Sequence, residues 1–265
     1  MKKPASDKKD DRAAAQVPDQ KPTTADVGLL FLSNFVHQVI NPMNGVIGTL
    51  TNITDGTYTE AVVKQKINAS RAQLEQCISL IRNLAYISDY FFETSDKASL
   101  RPPTKDSGTS ILPQVAIEAI QFFQVLAERK RIGLELVDSR TQYRVKSRPE
   151  LLKQVFINLF DNWIKYGDAN QVIKVEPSVN SVGDLVIVLS GASIGFDGAD
   201  AEKIFELGFR SSQAKRVVAQ GSGIGLHVCR QIMINALGGN IRAEHNGKSR
   251  VTSFRLTIPR ERWEL

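Results

Sequence analysis

The sequence predicts an α+β protein in two parts: an antiparallel two-helix hairpin that forms a dimeric four-helix bundle, followed by an α/β sandwich. Three observations carry that prediction. Apolar residues recur at helical spacing in two long stretches separated only by the turn residues Thr54 to Thr59. The segment "SDKASLRPPTKDSG" (Ser95 to Gly108) then breaks every periodicity with its Pro-Pro pair. Beyond it, helical and strand-like signals alternate to the end of the chain.

Taken in order, residues 1–24 are rich in Lys, Asp, Pro, Ala and Gln without apolar period, and read as a disordered tail. From Val27 to about Asn52, the residues Leu32, Val36, Val39, Met43, Ile47 and Leu50 recur at spacings of three and four. A second stripe of Val63, Ile67, Leu74, Ile78, Ile81 and Ala85 runs on to about Phe92. These two helices make the hairpin, residues 25–95. One hairpin cannot bury both stripes together with Leu29, Leu30, Phe31 and Phe35, so a second copy is expected to cover them as a homodimer. Residues 96–110 read as a linker. In residues 111–265 a helix from Ile111 precedes the strand "RIGLELV", and a helix from Pro149 to Tyr166 precedes "QVIKVEP" and "DLVIVLS". A short helix around Ala201 to Phe205, a Gly/Ser-rich loop and a helix from Gly223 to Ala236 lead to the closing strands "NIRAEH" and "VTSFRLTIP". This mixed order suggests helices on one face of a mixed sheet.

The composition excludes several function classes. A net charge of +6 over 265 residues, with no basic face interleaved with aromatics, argues against nucleic-acid binding. Cys77 and Cys229 have no metal-ligand spacing and fit buried, reduced thiols. The longest apolar run, "VGLLFL", is too short to cross a bilayer and no signal peptide precedes it, so no membrane segment is expected and a cytoplasmic location is.

Three constellations carry chemistry. In "FVHQVINPMNG" (Phe35 to Gly45), His37 lies about 140° round the helix from the centre of the apolar stripe. Pro42, five residues on, removes a backbone N–H and loosens the helix beside it. An exposed imidazole there can be reached by a second moving part, although a solvated surface histidine has the same pattern. In "LLKQVFINLFDNWIKYG", Asn158, Asn162, Lys165 and Tyr166 fall at i, i+4, i+7 and i+8, on one helix face. Amide oxygens so spaced can ligate Mg²⁺ beside phosphate oxygens, while Lys165 supplies charge and Tyr166 a flat surface for a base. Asparagines buried in an apolar helix without partners would be costly, which favours function over local back-bonding. In "GSGIGLHVCRQI", Gly221, Gly223 and Gly225 open a helix where backbone N–H groups can meet a phosphate.

Together these segments resemble the catalytic core of a sensor histidine kinase. "FVHQVINPMNG" is similar to the family's histidine box, "LLKQVFINLFDNWIKYG" to its asparagine box, and "GSGIGL" to its second glycine box. "EKIFELGFRSS" is similar to the phenylalanine box and the start of the ATP lid. The resemblance implies a dimerisation and phosphotransfer hairpin and an ATP-binding domain of the histidine kinase, gyrase and Hsp90 type, using ATP and Mg²⁺. It implies that His37 accepts the γ-phosphoryl group on a ring nitrogen and passes it to an aspartate in the receiver domain of a response regulator. By the same resemblance Asn162 holds Mg²⁺ with Asn158, Lys165 and Arg210 face phosphates, Tyr166 lines the adenine pocket, and Gly221, Gly223 and Gly225 frame the lid. A separate sensor protein is a further expected partner. The related ATPases carry a Glu where this chain has Asn158, an amide that cannot activate water, so ATP is expected to await the imidazole.

Two positions depart from the family pattern. Gln38 stands where an acidic residue usually follows the histidine, and losing a general base costs roughly 10²–10⁴-fold in rate. In "LSGASIGFDGADAEKIFE" the first glycine box has Gly191 at the aspartate that accepts from the adenine amino group, Ser193 at the first glycine, and Gly195 at the second. Losing that charge-assisted bond costs roughly 1.5–3 kcal/mol. Two hypotheses therefore stand side by side. One is an active histidine kinase in a phosphorelay. The other is a degenerate, ATP-independent dimer acting as a histidine phosphotransferase, response-regulator phosphatase or scaffold, in which Asn41 orients a water at the regulator's phosphoaspartate.

Overall fold

The computed structural model describes residues 24–93, 108–218 and 221–265. The expected tail and linker lie almost wholly outside the described residues. Helices α1 (Thr24–Thr54) and α2 (Glu60–Glu93) run antiparallel. Gly45 faces Gln73, and the Cys77 thiol donates to the Val39 carbonyl at 3.6 Å. Pro42 lies inside α1. Between the helices Val46 and Cys77 are buried, whereas Val36, Ile40, Met43, Ile47 and Leu50 of α1 and Ile67, Leu74, Ile78 and Ile81 of α2 are exposed. The apolar stripes of the sequence are thus left largely uncovered by the chain's own packing.

The second part contains β1 (Thr109–Ile111), α3 (Leu112–Lys130), β2 (Ile132–Leu136), β3 (Arg144–Lys146), α4 (Pro149–Tyr166), β4 (Gln171–Val179) and β5 (Leu185–Ala192). It continues with α5 (Ser212–Val217), α6 (Gly225–Gln231), β6 (Asn240–Asn246), β7 (Val251–Ile258) and β8 (Trp263–Glu264). The main sheet has the order β2-β4-β5-β7-β6, with β2 parallel to β4 and every other pair antiparallel. A parallel pair needs a long crossover, and α4 lies within it. Strands β6 and β7 alternate: Ile241, Ala243, Phe254, Leu256 and Ile258 face inward, while Arg242, Glu244 and Arg255 face out. Helices α3, α4 and α6 share the core with the inward face.

Several elements differ from the sequence reading. A second small sheet, β1-β3-β8, is built from strands too short to show a period, and β1 begins within the segment read as linker. The helix read at Ala201 to Phe205 is two 3₁₀ turns, Gly198–Asp200 and Lys203–Phe205, the first capped by Asp197. The Gly/Ser-rich loop contains α5, whose first turn Ser211 caps by accepting from the Ala214 N–H at 3.2 Å. The helix read to Ala236 ends as α6 and continues as a π-helical turn, Ile232–Ala236.

Helix α4 organises the domain. Pro149 begins it, where a missing N–H is harmless, and Leu152, Val155, Phe156, Leu159, Phe160 and Trp163 form its buried stripe. Phe160 stacks on Phe156 with centroids 6.1 Å apart and meets Phe123 of α3 edge-on at 6.3 Å. Phe160→Ala should therefore cost roughly 3–5 kcal/mol, read as a shift in urea midpoint at constant m-value. A loss under 1 kcal/mol would show that this stripe does not hold the domain.

Candidate functional site

Burying one stripe of α4 turns the adjacent face, with Asn158, Asn162, Lys165 and Tyr166, into a cavity of about 390 Å³. The other walls come from Phe122, Phe123 and Leu126 of α3, the loop after β5, the loop around Arg210, the glycine segment before α6, strand β7, and Gln73 and Asn83 of α2. At 1.5 Å rise per residue, Asn158 and Tyr166 stand about 12 Å apart along the helix axis. All ten residues assigned from the sequence to nucleotide binding line this one cavity. His37 and Gln38 lie in α1, and their side chains lie outside the described residues; Asn41 is exposed on α1.

At the N-terminal end of this face, Asn158 is 4 % exposed and fully engaged. Its Oδ1 accepts from Gln154 Nε2 at 3.1 Å and from Asn83 Nδ2 at 3.2 Å. Its Nδ2 donates to the Gly225 carbonyl at 3.2 Å and to Asn83 Oδ1 at 3.3 Å. Gln154 Nε2 also donates to Asn83 Oδ1, at 2.9 Å. Asn162, one turn on, is different: its buried Nδ2 has no hydrogen-bond partner. Cys229 lies beneath, and burial pushes its thiol up to about 12, so it brings no thiolate to the site. Burial likewise lowers His227, despite its bond to the Phe205 carbonyl, so it favours the neutral form.

Both cations assigned to phosphates are already engaged. Lys165 pairs with Asp161 one turn away at 2.5 Å. Arg210 donates to the carbonyls of Ala214, at 3.1 Å, and Val218, tying the loop around α5 together. The glycines make close approaches possible. Gly223 has φ +65°, and a Cβ there would sit 2.6 Å from the backbone of Gly208, whose N–H donates to the Gly223 carbonyl. At Gly221 a Cβ would press on the Arg210 guanidinium at 3.1 Å.

At the other end, the Tyr166 carbonyl accepts from the Ile194 N–H, fixing the loop after β5 against α4. Ser193 Oγ lies 2.7 Å from Thr252 Oγ1 and accepts from the Gly195 N–H at 3.1 Å. Thr252 Oγ1 in turn lies 2.9 Å from His245 Nδ1. Gly191 has no room for a side chain: a Cβ would fall 2.2 Å from Ile173 Cδ1 and 3.1 Å from Gln171 Oε1. The Gln171 amide holds the strand end there, bonding the Asp168 carbonyl and both backbone groups of Ala192. Sequence reasoning missed Asn83, Gln154, Asp161, Thr252 and His245. Thr252 alone carried a readable signal, a polar residue at an inward position of an alternating strand.

The chain thus has a mixed sheet with helices on one face and a cavity between an amide-bearing helix and a glycine segment. Residues 147–262 match the family described as Histidine kinase-, DNA gyrase B-, and HSP90-like ATPase. Over most of its length the chain is similar to sensor histidine kinase catalytic cores. The adaptive-response sensory kinase SasA of Synechococcus sp. is 27% identical over 232 residues, which are 86% of this chain and 58% of that protein. The sensor protein EvgS of Escherichia coli is 23% identical over 236 residues, 87% of this chain and 19% of that one. The chain thus spans little more than half of one relative and about a fifth of the other. The histidine kinase AdeS of Acinetobacter baumannii shares the fold with a TM-score of 0.56 and 21% identity, over 84% of this chain and 96% of that chain. Histidine kinase ThkA, solved in complex with the response regulator protein TrrA, does so with a TM-score of 0.55 and 20% identity, over 89% and 62%. No helix among the described residues is long and apolar enough to cross a membrane.

Proposed function

We propose that the chain is the core of a two-component histidine protein kinase, which autophosphorylates His37 from Mg-ATP and passes the phosphoryl group to a response-regulator aspartate. Residues 25–95 are then the dimerisation and phosphotransfer hairpin, and residues 111–265 the ATP-binding domain. The observation that carries this reading is the single cavity in which the α4 polar face meets the glycine segment. Its volume lies within the range of small-molecule sites, and the unpartnered Asn162 N–H donor and the glycine approaches suit the phosphate oxygens of a triphosphate. Bound Mg-ATP supplies the phosphoryl group and the metal charge that offsets phosphate repulsion. Asn162 would hold the metal through Oδ1, and Asn158 would join it if its present partners released it. Lys165 and Arg210 turn from their protein partners toward phosphates, and Tyr166 flanks the base. The bare His37 ring nitrogen would form the N–P bond as the γ-phosphorus bond to the bridging oxygen breaks and ADP leaves, the proton on the other ring nitrogen passing to water while Gln38 orients the ring. The exposed stripes on α1 and α2 support a second copy of the hairpin as partner.

Incubation with γ-labelled ATP and Mg²⁺ should give an acid-labile label that His37→Ala abolishes; a wild type labelled no better than that variant overturns the kinase reading. The ATP-independent phosphotransferase, phosphatase or scaffold, with Asn41 acting at a regulator, is the second reading. It is favoured by Asn158, whose amide oxygen already accepts two hydrogen bonds from the protein. A micromolar Kd for Mg-ATP would count against it.

A further inference from the structure

The end of the cavity that the proposed reading gives to the base carries a row of side chains across the sheet whose hydrogen-bonding sense is reversible. Thr252 on β7 pairs in register with Gly191 on β5 and with His245 on β6. In this row Gly191 contributes nothing polar, because Ile173 and Gln171 occupy the space of its missing side chain. The aliphatic hydroxyls at this end are those of Ser193, 7 % exposed, and Thr252, 3 % exposed; both line the cavity, as do Tyr166 and Trp163, whose buried indole N–H has no hydrogen-bond partner. Behind them His245 packs its ring onto Gly195: that glycine has φ +69°, and a Cβ there would lie 2.2 Å from the imidazole. The imidazole can approach Thr252 this closely only because residue 195 is glycine.

The proton count of this chain of groups allows two arrangements. Ser193 Oγ has one O–H and two lone pairs, and the Gly195 N–H takes one lone pair in both. With the proton on Nδ1, His245 donates to Thr252, Thr252 donates to Ser193, and the Ser193 O–H is left to donate into the cavity. With Nδ1 bare, Thr252 donates to His245, Ser193 donates to Thr252, and Ser193 keeps one lone pair to accept from the cavity. A neutral imidazole exchanges these tautomers at little cost, so Ser193 can face either a donor or an acceptor. A carboxylate at position 191 could only accept.

We infer that the Ser193–Thr252–His245 relay reads the 6-position of a purine nucleotide in either sense, so that the chain takes adenine and guanine triphosphates alike. Adenine presents an amino donor there and guanine a carbonyl acceptor. The inference rests on the nucleotide-binding reading of the same cavity and names its base specificity. It does not require that His37 be phosphorylated.

Calorimetric titration of the full chain with Mg-ATP and Mg-GTP tests it without any activity. The two Kd values should agree within about threefold, since each base finds a matched partner at its 6-position and that contact sets the preference. His245→Asp fixes the relay in its accepting sense and should shift the ratio toward ATP by about tenfold, the size of one mismatched hydrogen bond. Thr252→Val breaks the relay, and in that background His245→Asp should leave the ratio unmoved, whatever the aspartate does to stability. A wild-type preference for ATP of roughly thirtyfold or more overturns the inference and spares the kinase reading. So does a ratio that His245→Asp leaves unchanged in a folded protein. Binding of neither nucleotide overturns both together.

Discussion

The Asn162→Ala chain is expected to melt at the parent temperature or slightly above it, and to lose most of the stabilisation that Mg-ATP gives the parent. Asn162 Nδ2 is buried without a partner, an arrangement that costs roughly 1–3 kcal/mol. Alanine removes that orphaned group and has the higher helix propensity, so the ligand-free fold has little to lose. Nucleotide binding has more to lose, because an amide oxygen facing a cation forms a charge-assisted contact, and its removal weakens affinity by about 10- to 100-fold. With ligand at 100 times the parent Kd, the parent gains about 2.7 kcal/mol, and a hundredfold weaker variant gains only about 0.4. For a chain of this size that is a thermal shift of roughly 5–10 °C reduced to about 1 °C. Differential scanning fluorimetry with and without Mg-ATP reads both quantities. If the ligand-free variant melted several degrees lower while its nucleotide shift stayed intact, Asn162 would be a packing residue and the metal would need another ligand.

The distribution of what the sequence disclosed follows from the range of the forces involved. Helix α4 was legible in both its faces because hydrophobic burial repeats along the chain, and one face of Leu, Val and Phe defines the other. The glycine segment was legible because left-handed backbone at Gly223 leaves few residue choices. Strands β1, β3 and β8 were not, since three residues or fewer carry no period and their pairing depends on partners far along the chain. The same reason hid the two polar ends of the cavity. Nothing local to Asn83 or to His245 marks either residue; each matters through a contact with a distant element, 75 residues away for Asn83 and Asn158. The departure at Gly191 was visible as a missing carboxylate, but Ile173 and Gln171 come to occupy its place only through the pairing of distant strands.

The second large effect is expected at Asn83, where alanine should tighten Mg-nucleotide binding rather than weaken it. Asn158 Oδ1 has two lone pairs, and Gln154 and Asn83 take both. While α2 is docked, that oxygen has none left for a metal. Asn83→Ala removes the three hydrogen bonds that Asn83 shares with Asn158 and Gln154, and leaves those two residues bonded to each other at 3.1 Å. Net values near 0.5–1.5 kcal/mol per bond, less than additive for one amide, put the docking contribution at roughly 1–3 kcal/mol. A binding-competent form held back by that amount is a minor population, and the apparent Kd is the intrinsic value divided by its fraction. Releasing it should improve affinity about 5- to 150-fold and lower ligand-free stability by a similar free energy. All three groups are neutral amides, so the effect should persist in high salt, unlike one carried by an ion pair. Titration of wild type, Asn83→Ala and Asn83→Ala/Asn158→Ala separates the outcomes, because the gain at Asn83 should shrink once Asn158 is gone. A fall in affinity for Asn83→Ala would give Asn83 the opposite role, holding Asn158 in the orientation the metal needs. The hairpin would then complete the site instead of closing it.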